Sequence, residues 1–245
     1  MAALDVVVAG EGPEAVAEEF VPRHVAIIMD GNRRWARERG VHEAAGHAAG
    51  VDAIRPIVER AQQRGVKILS VFAFSRENWQ RARGEVDTLL SLLDAAIADY
   101  TPDLVRQGVR VQLLGRQDEL ATSTRESIEE ALRATAAGSA MTLNVAFNYS
   151  GRCEIVDAAR RCLADGLSID QIDEDALASR LYTPQPSELD LLIRTGGDQR
   201  VSNFLLWQAA YAEFYFTDRY WPDFDPAAFD TALAEYARRS RRFGR

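Results

Sequence analysis

The sequence predicts a single α/β domain, with a mostly parallel central sheet of about six strands flanked by helices. Three observations carry that prediction. Six short, nearly continuous apolar runs have the character of strands buried on both faces. Helix-length segments separate most of them, which is the alternation that parallel sheets require. The chain has 245 residues, 47% of them hydrophobic and 27% charged, enough to bury one ample core without staples.

In chain order, the expected strands are residues 25–29 (Val-Ala-Ile-Ile-Met), 68–74 (Ile-Leu-Ser-Val-Phe-Ala-Phe), 109–114, 141–147, 189–193 and 213–216. Helical signals fall at 48–64, stopped by Gly65, and at 85–100, 118–137, 154–164, 174–181 and 226–239. A short apolar helix is expected at 204–207. No internal repeat or low-complexity tract is evident. Residues 1–21 read as an N-terminal segment, expected to be mobile, and residues 22–245 as the functional domain.

The net charge of −8 argues against broad nucleic-acid binding, so arginines that cluster against that background point to local anion sites. The two cysteines, Cys153 and Cys162, lie nine residues apart, a spacing that puts them on opposite faces of one helix. The short apolar run at 4–9 lacks a basic flank and no stretch approaches the length of a membrane span, so the expected location is the cytoplasm.

In open parallel sheets, ligands gather beyond the carboxyl ends of the strands. Asp30, Ser75, Asn148 and Arg194 all fall there, favouring one composite site. Two of these strand ends run into glycine- and arginine-bearing turns, Asp30-Gly31-Asn32-Arg33-Arg34-Trp35 and Arg194-Thr195-Gly196-Gly197-Asp198-Gln199-Arg200. Glycine lets backbone amides approach an anion and arginine forks onto phosphate oxygens, so each turn suits a diphosphate. A carboxylate leaving a buried strand, as Asp30 does, offers hard oxygen ligation to Mg²⁺, which normally arrives with a diphosphate. On its own, the first turn also reads as a helix N-cap with a surface arginine. A third polar run, Ser75 to Arg81, follows the strand ending Ala73-Phe74; alone it reads equally as an ordinary turn.

These residues carry a resemblance. From His24 to Gly244 the sequence resembles the cis-prenyltransferases, the undecaprenyl diphosphate synthase or isoprenyl transferase family. The motifs are His24 to Asn32, Gly46-His47, Phe74-Ser75-Arg76-Glu77-Asn78-Trp79, Asn148-Tyr149, Arg194-Thr195-Gly196-Gly197, Arg200 to Gln208 and Tyr211-Ala212-Glu213. The resemblance implies a Mg²⁺-dependent enzyme in which isopentenyl diphosphate attacks an allylic prenyl diphosphate, of farnesyl or geranyl size, to give a Z-polyprenyl diphosphate of undecaprenyl type. It further implies that Asp30 assists diphosphate departure and binds the metal with support from Glu213, while Gly31, Asn32, Arg33, Arg34 and His47 hold the allylic diphosphate beside Trp35. Arg194, Arg200 and Ser202 would hold isopentenyl diphosphate. Asn78 and Ser75 would act at the reacting carbons. Phe74, Trp79, Arg81 and Glu85 would contact substrate or close over it. The terminal Arg242-Phe243-Gly244 would reach across a homodimer into the neighbour's site. An amphiphilic product implies transient contact with a membrane surface at most.

Three positions depart from the family pattern. Glu43 stands where many bacterial members carry an arginine, and Arg33 where close relatives often have glycine. Either Arg33 supplies the missing charge, or the allylic substrate sits differently. Asp198 is one methylene shorter than the usual glutamate. A growing chain needs an apolar tunnel, which the 89–97 helix with Ala73, Met141 and Phe147 would line, although for any one of them plain core packing is the stronger reading. Phe147 stands where relatives commonly have alanine, and its bulk points to a product shorter than C55.

Other readings compete. Val6 to Ala15 mimics a dinucleotide fingerprint with Asp30 about twenty residues on. His42-Glu43 with His47 mimics a zincin helix, but spaces its histidines five apart instead of four. Non-head-to-tail coupling of two allylic diphosphates is a further possibility, and a non-catalytic accessory subunit is the alternative of a different class.

Overall fold

The computed structural model describes residues 21–183 and 188–239. Six strands form one sheet in the order β3-β4-β2-β1-β5-β6, every neighbouring pair parallel. They are β1 (His24–Ile28), β2 (Ile68–Ser75), β3 (Val109–Leu114), β4 (Met141–Tyr149), β5 (Leu191–Arg194) and β6 (Glu213–Phe216). The expected all-covered α/β sheet is therefore what the chain forms, with each strand within about two residues of its predicted bounds. Residues 1–20, with the dinucleotide-like run among them, and Arg242 and Gly244 lie outside the described residues.

Strand β1 shows why its apolar run is unbroken. Val25 and Ile27 enter one core with Ile57, Trp221 and Phe229, whereas Ala26 and Ile28 enter another with Leu192, Tyr149 and Phe204. Both faces are covered, so polar alternation has no place in this strand. A third apolar cluster, Phe74, Val86, Leu120, Ile128 and Phe147, lies at the β2–β4 side under α4 (Arg83–Arg106) and α5 (Thr122–Thr135).

The helix expected over 48–64 is two helices, α2 (Glu43–Asp52) and α3 (Ile54–Gln63). Pro56, in the first turn of α3, has no N–H to continue the ladder of the preceding helix. The chain therefore starts a new helix at Ile54, and α2 begins earlier, where the His42 ring accepts a hydrogen bond from the amide of Ala44. A further helix, α1 (Asn32–Glu38), opens at Gly31 within the stretch read as a turn. The remaining helices are α6 (Gly151–Ala164), α7 (Glu174–Ala178) and α8 (Pro226–Arg238). Among the described residues no helix is long and apolar enough to cross a membrane.

The helix expected at 204–207 is absent. Ser202, Asn203 and Leu205 have φ of 47°, 63° and 44°, and side-chain-bearing residues in that left-handed region interrupt a right-handed helix. The segment is instead a chain of turns that carries Ser202 to the end of β5.

On the far side, α3 is clamped to α8. Arg60 and Arg64 both donate to the Asp230 carboxylate, Arg64 Nε at 2.8 Å. Burial pushes the Asp230 carboxyl up, but the hydrogen bonds from Arg64 and Arg60 outweigh it and hold it down to about 2. Because the folded value lies below the unfolded value of 3.8, this carboxylate stabilises the fold fully above that pH and loses its contribution as pH falls from there towards 2. Asp230→Asn is thus expected to lower Tm at pH 7 and to change it much less at pH 2, an outcome checked by thermal melts at the two pH values.

Candidate active site

Pairing of β1 with β5 places Ile28 beside Arg194, and the two glycine- and arginine-bearing turns leave the sheet side by side. Thr195, fully buried, clasps them: its hydroxyl accepts from the Asp30 amide at 3.0 Å and donates to the Asp30 carbonyl at 2.8 Å. Thr195 was quoted in the sequence without a role. A hydroxyl at the end of an otherwise apolar buried strand was the signal that could have found it.

The Asp30 carboxylate lies between the two turns. Its Oδ1 accepts from the Gly31 amide at 2.6 Å and from Arg34 Nη2 at 3.2 Å, and its Oδ2 accepts from Arg194 Nη2 at 2.8 Å. Burial acts to raise its pKa, but the hydrogen bond and charge of Arg194, followed by Arg34, outweigh it, so the group is held below its ordinary value and is ionised at neutral pH. Two glycines make this approach possible. Gly31, at φ 107°, would bring a Cβ to 2.6 Å from the Tyr220 ring, and Gly196, at φ 83°, would bring one to 2.9 Å from Arg34.

Arg194 is the most buried of the cationic groups here, its side chain 4% exposed. Nη2 reaches both Asp30 and Asp198, the latter at 3.1 Å, while Nη1 donates to the Arg200 carbonyl and to Ser202 Oγ at 2.6 Å. Asp198 also accepts from Arg200 Nη2 at 2.6 Å. The left-handed turns at Ser202 and Asn203 bring these acceptors back over the guanidinium.

Arg34 donates from Nη1 to the Gly196 carbonyl, so it belongs to both turns. Arg33 points to α2, with Nε 2.8 Å from the Glu43 carboxylate, and Arg37 stands 3.7 Å from the same group. The Glu43 departure is therefore matched by neighbouring arginines. His47 is buried, 3.4 Å from Glu85, which also accepts from Arg81 at 2.8 Å. Burial lowers the His47 pKa against the opposing pull of Glu85, so the ring is neutral at pH 7. His42, the N-cap of α2, does not share a face with it.

A cleft of about 760 Å³ collects these groups. It is lined by the polar residues Asp30, Gly31, Asn32, Arg33, Arg34, His47, Arg194, Arg200 and Ser202 together with Ser75, Asn78 and Arg81, and by the apolar Phe72, Ala73 and Leu89. The structure thus brings most of the expected residues to one place. Ser75 and Asn78 are linked, the Ser75 amide donating to Asn78 Oδ1 at 3.0 Å. That commits the Asn78 carbonyl to the backbone and leaves its amide NH₂ as the group able to face the cleft.

Others stand apart. Trp35 donates its indole N–H to Asp223 and lies under Arg39. Phe74 is buried behind the cleft, stacked on Phe147 at 4.9 Å with Trp79 edge-on at 5.2 Å. Asn148 is fully buried and binds Trp79 instead of lining the cleft. Glu213 starts β6 in register with Leu191, three residues before the Arg194 level, and pairs with Arg239 at 3.0 Å; at ~3.3 Å per residue that is about 10 Å along the strand from Arg194. Sequence reasoning missed Tyr220, which packs on Gly31, and Glu119, which binds Asn148; neither carries a local signal.

No cluster of three or more His, Cys, Asp or Glu side chains able to hold a metal occurs among the described residues. An ionised, cleft-facing Asp30 nonetheless fits a divalent cation whose remaining ligands come from phosphate oxygens and water.

Comparison with known proteins agrees with this geometry. A family model described as "Putative undecaprenyl diphosphate synthase" matches residues 28–244. An isoprenyl transferase of Agrobacterium fabrum is 48% identical over 228 residues, 91% of this chain and 92% of that protein. One from Listeria monocytogenes is 44% identical over 94% of this chain and 93% of that protein. Among solved structures, lavandulyl diphosphate synthase from Lavandula x intermedia, in complex with dimethylallyl diphosphate, superposes with a TM-score of 0.89 at 38% identity, covering 93% of this chain and all of that one. A protein described as a "probable undecaprenyl diphosphate synthase" from Campylobacter jejuni gives 0.79 at 32% identity, covering 91% and 99%. Fold, cleft and relatives define the class, an enzyme of the cis-prenyltransferase type. The chain belongs to the undecaprenyl diphosphate synthase family of isoprenyl transferases.

Proposed function

We propose that this enzyme condenses isopentenyl diphosphate with an allylic prenyl diphosphate of geranyl or farnesyl size, giving a Z-prenyl diphosphate shorter than C55. The observation that carries the reading is the Asp30 carboxylate held between two arginine- and glycine-built anion cradles at one mouth of one cleft. Gly31, Asn32, Arg33, Arg34 and His47 hold the allylic diphosphate, and Arg194, Arg200 and Ser202 hold the other. The allylic C–O bond breaks with its electron pair leaving on the diphosphate, the alkene of isopentenyl diphosphate forms the new C–C bond, and a proton next to it is lost to the departed diphosphate. Arginines around the departing diphosphate stabilise its growing charge, and Ser75 and Asn78 orient the carbon that loses the proton. Asp30 would hold Mg²⁺, which when bound would supply Lewis-acid charge neutralisation at the leaving group.

The family resemblance adds a homodimer completed by residues 242–244, Glu213 as support for a metal, closure by the segment bearing Trp79, Arg81 and Glu85, and a cytoplasmic enzyme whose product touches a membrane surface transiently.

The test is incubation with Mg²⁺, labelled isopentenyl diphosphate and dimethylallyl, geranyl or farnesyl diphosphate in turn, with dephosphorylated products sized by chromatography. Products below C55 are expected; a C55 product overturns the length, and no incorporation with any primer overturns the reaction. The shorter length is supported by the Phe74–Phe147 stack, against which Ala73 and Leu89 pack. Phe147→Ala is therefore expected to lengthen the product distribution, and an unchanged distribution sinks that assignment. A second reading, coupling of two allylic diphosphates, is favoured by the Arg33–Glu43 pair and by the likeness to lavandulyl diphosphate synthase. Product formed from dimethylallyl diphosphate alone would establish it.

A further inference from the structure

The turn that carries Asn78 is held from behind by a side chain that never reaches the cleft. Asn148, near the end of β4, has no exposed surface and sits in the left-handed region at φ 50°. Its Oδ1 accepts from Trp79 Nε1 at 2.8 Å, and its Nδ2 donates to the Arg116 carbonyl at 2.8 Å and to Glu119 Oε2 at 3.0 Å. Both of its amide hydrogens and its carbonyl are thus engaged. Glu119 Oε2 in turn accepts from Arg76 Nη1 at 2.6 Å. Arg76 and Trp79 flank Asn78 within one 3₁₀ turn, Arg76–Gln80, that begins where β2 ends at Ser75.

The anchorage is rigid on its own side. At Gly115, φ 135°, a Cβ would lie 2.0 Å from the Phe147 carbonyl, so the loop bearing Arg116 and Glu119 is pressed against the backbone of Phe147 and Asn148. The Arg116 amide donates to the Asn148 carbonyl at 3.3 Å, and Arg116 itself is fixed by Asp157 on α6 at 2.8 Å. Across the sheet, β2 slips register against β4 on either side of Phe74, so strand pairing alone does not fix where Ser75 points. A left-handed non-glycine residue is kept where surrounding contacts over-determine it, and here those contacts lead to the turn at the cleft.

The geometry points to Asn148 as a positioning residue for transfer. Through Trp79 on one side, and through Glu119 and Arg76 on the other, it sets the placement of Ser75 and Asn78 against the reacting carbons without touching substrate. It therefore governs the rate of the bound complex more than the binding of either diphosphate, whose cradles lie on β1 and β5.

The inference rests on the proposed reaction, so its test includes a readout that does not. Asn148→Gly removes the side chain at a φ that glycine adopts freely. In protein labelled at its four tryptophans, the Trp79 indole N–H signal is identified by its loss in Trp79→Phe, and its exchange with solvent is expected to rise by about tenfold in Asn148→Gly as a half-buried bond is released, with the other three unchanged. The same variant is expected to lower kcat by about tenfold while the KM for isopentenyl diphosphate stays within about twofold. In the Trp79→Phe background the Asn148→Gly loss is expected to shrink to roughly twofold or less, because coupled residues do not add. Glu119→Gln, which leaves Asn148 in place, is expected to cost about threefold in kcat. Unchanged Trp79 exchange, equal losses in both backgrounds, or a change carried by KM overturns the proposal. If Asn148→Gly does not fold, Glu119→Gln decides: unchanged kcat and unchanged exchange overturn it. If the wild-type enzyme transfers nothing, the reaction itself fails, and the indole exchange still decides whether Asn148 holds the turn.

Discussion

Arg194→Ala is expected to reduce kcat/KM for isopentenyl diphosphate by about a thousandfold. The guanidinium is almost fully buried and binds two carboxylates, a carbonyl and a hydroxyl at once. Breaking a buried ion pair by removing one partner costs about 3–5 kcal/mol, because the other charge is left uncompensated, and ~1.4 kcal/mol is tenfold in rate. In the variant, Asp30 and Asp198 would face each other and the incoming diphosphate with one cation fewer. Arg194→Lys is expected to recover little, since an ammonium cannot span acceptors on both sides in the plane of a fork. Steady-state kinetics against each substrate in turn decide the matter. A loss of less than tenfold would remove Arg194 from the site.

Asp30→Asn is expected to lower kcat by about 10²–10³-fold, the range seen when one preorganised group aimed at developing charge is lost. The substitution keeps shape but turns one oxygen into a donor, where the Gly31 amide, Arg34 and Arg194 all donate. The pKa of Asp30 is held below 3.8, so its charge is present from neutral pH down to that value and is lost only as pH falls through the lower folded value. The wild-type rate between pH 5 and pH 8 should consequently show no limb from this group. A single-turnover rate for Asp30→Asn within tenfold of wild type would show that the carboxylate is dispensable.

Much of this was legible in the sequence because it depends on local patterns. Strands buried on both faces write themselves as unbroken apolar runs, and a parallel sheet sends polar residues to one edge, which is why Asp30, Ser75 and Arg194 could be grouped before any geometry was known. Helix breaks were less legible: Pro56 divides α2 from α3, yet proline near a helix start looks the same whether it begins a helix or interrupts one. The positive-φ turns at Ser202, Asn203 and Leu205 were invisible, since an apolar stretch following them reads as helix and only the demands of the Arg194 guanidinium select the turns. Asn148 was placed at the correct strand end, but its side chain turns away from the cleft because its partners, Trp79 and Glu119, come from distant segments that carry no shared signal. Side-chain direction at a strand end is decided by such long-range partners, and periodicity does not encode them.

The pairing of β1 with β5 also governs when the site comes into being. Asp30 and Arg194 are 164 positions apart, and the three strands between β1 and β5 in the chain, β2, β3 and β4, all lie on the other side of β1. During synthesis, residues 24–149 can pair β1 with β2, β2 with β4 and β4 with β3 while the edge of β1 that β5 will occupy stays open, its hydrogen-bonding groups and the Asp30 carboxylate facing water. Contacts of such long sequence separation close late, after the entropy of a large loop has been overcome. The nascent enzyme therefore carries an open strand edge until its last two strands arrive, and it acquires a paired Asp30 and protection of that edge in the same event.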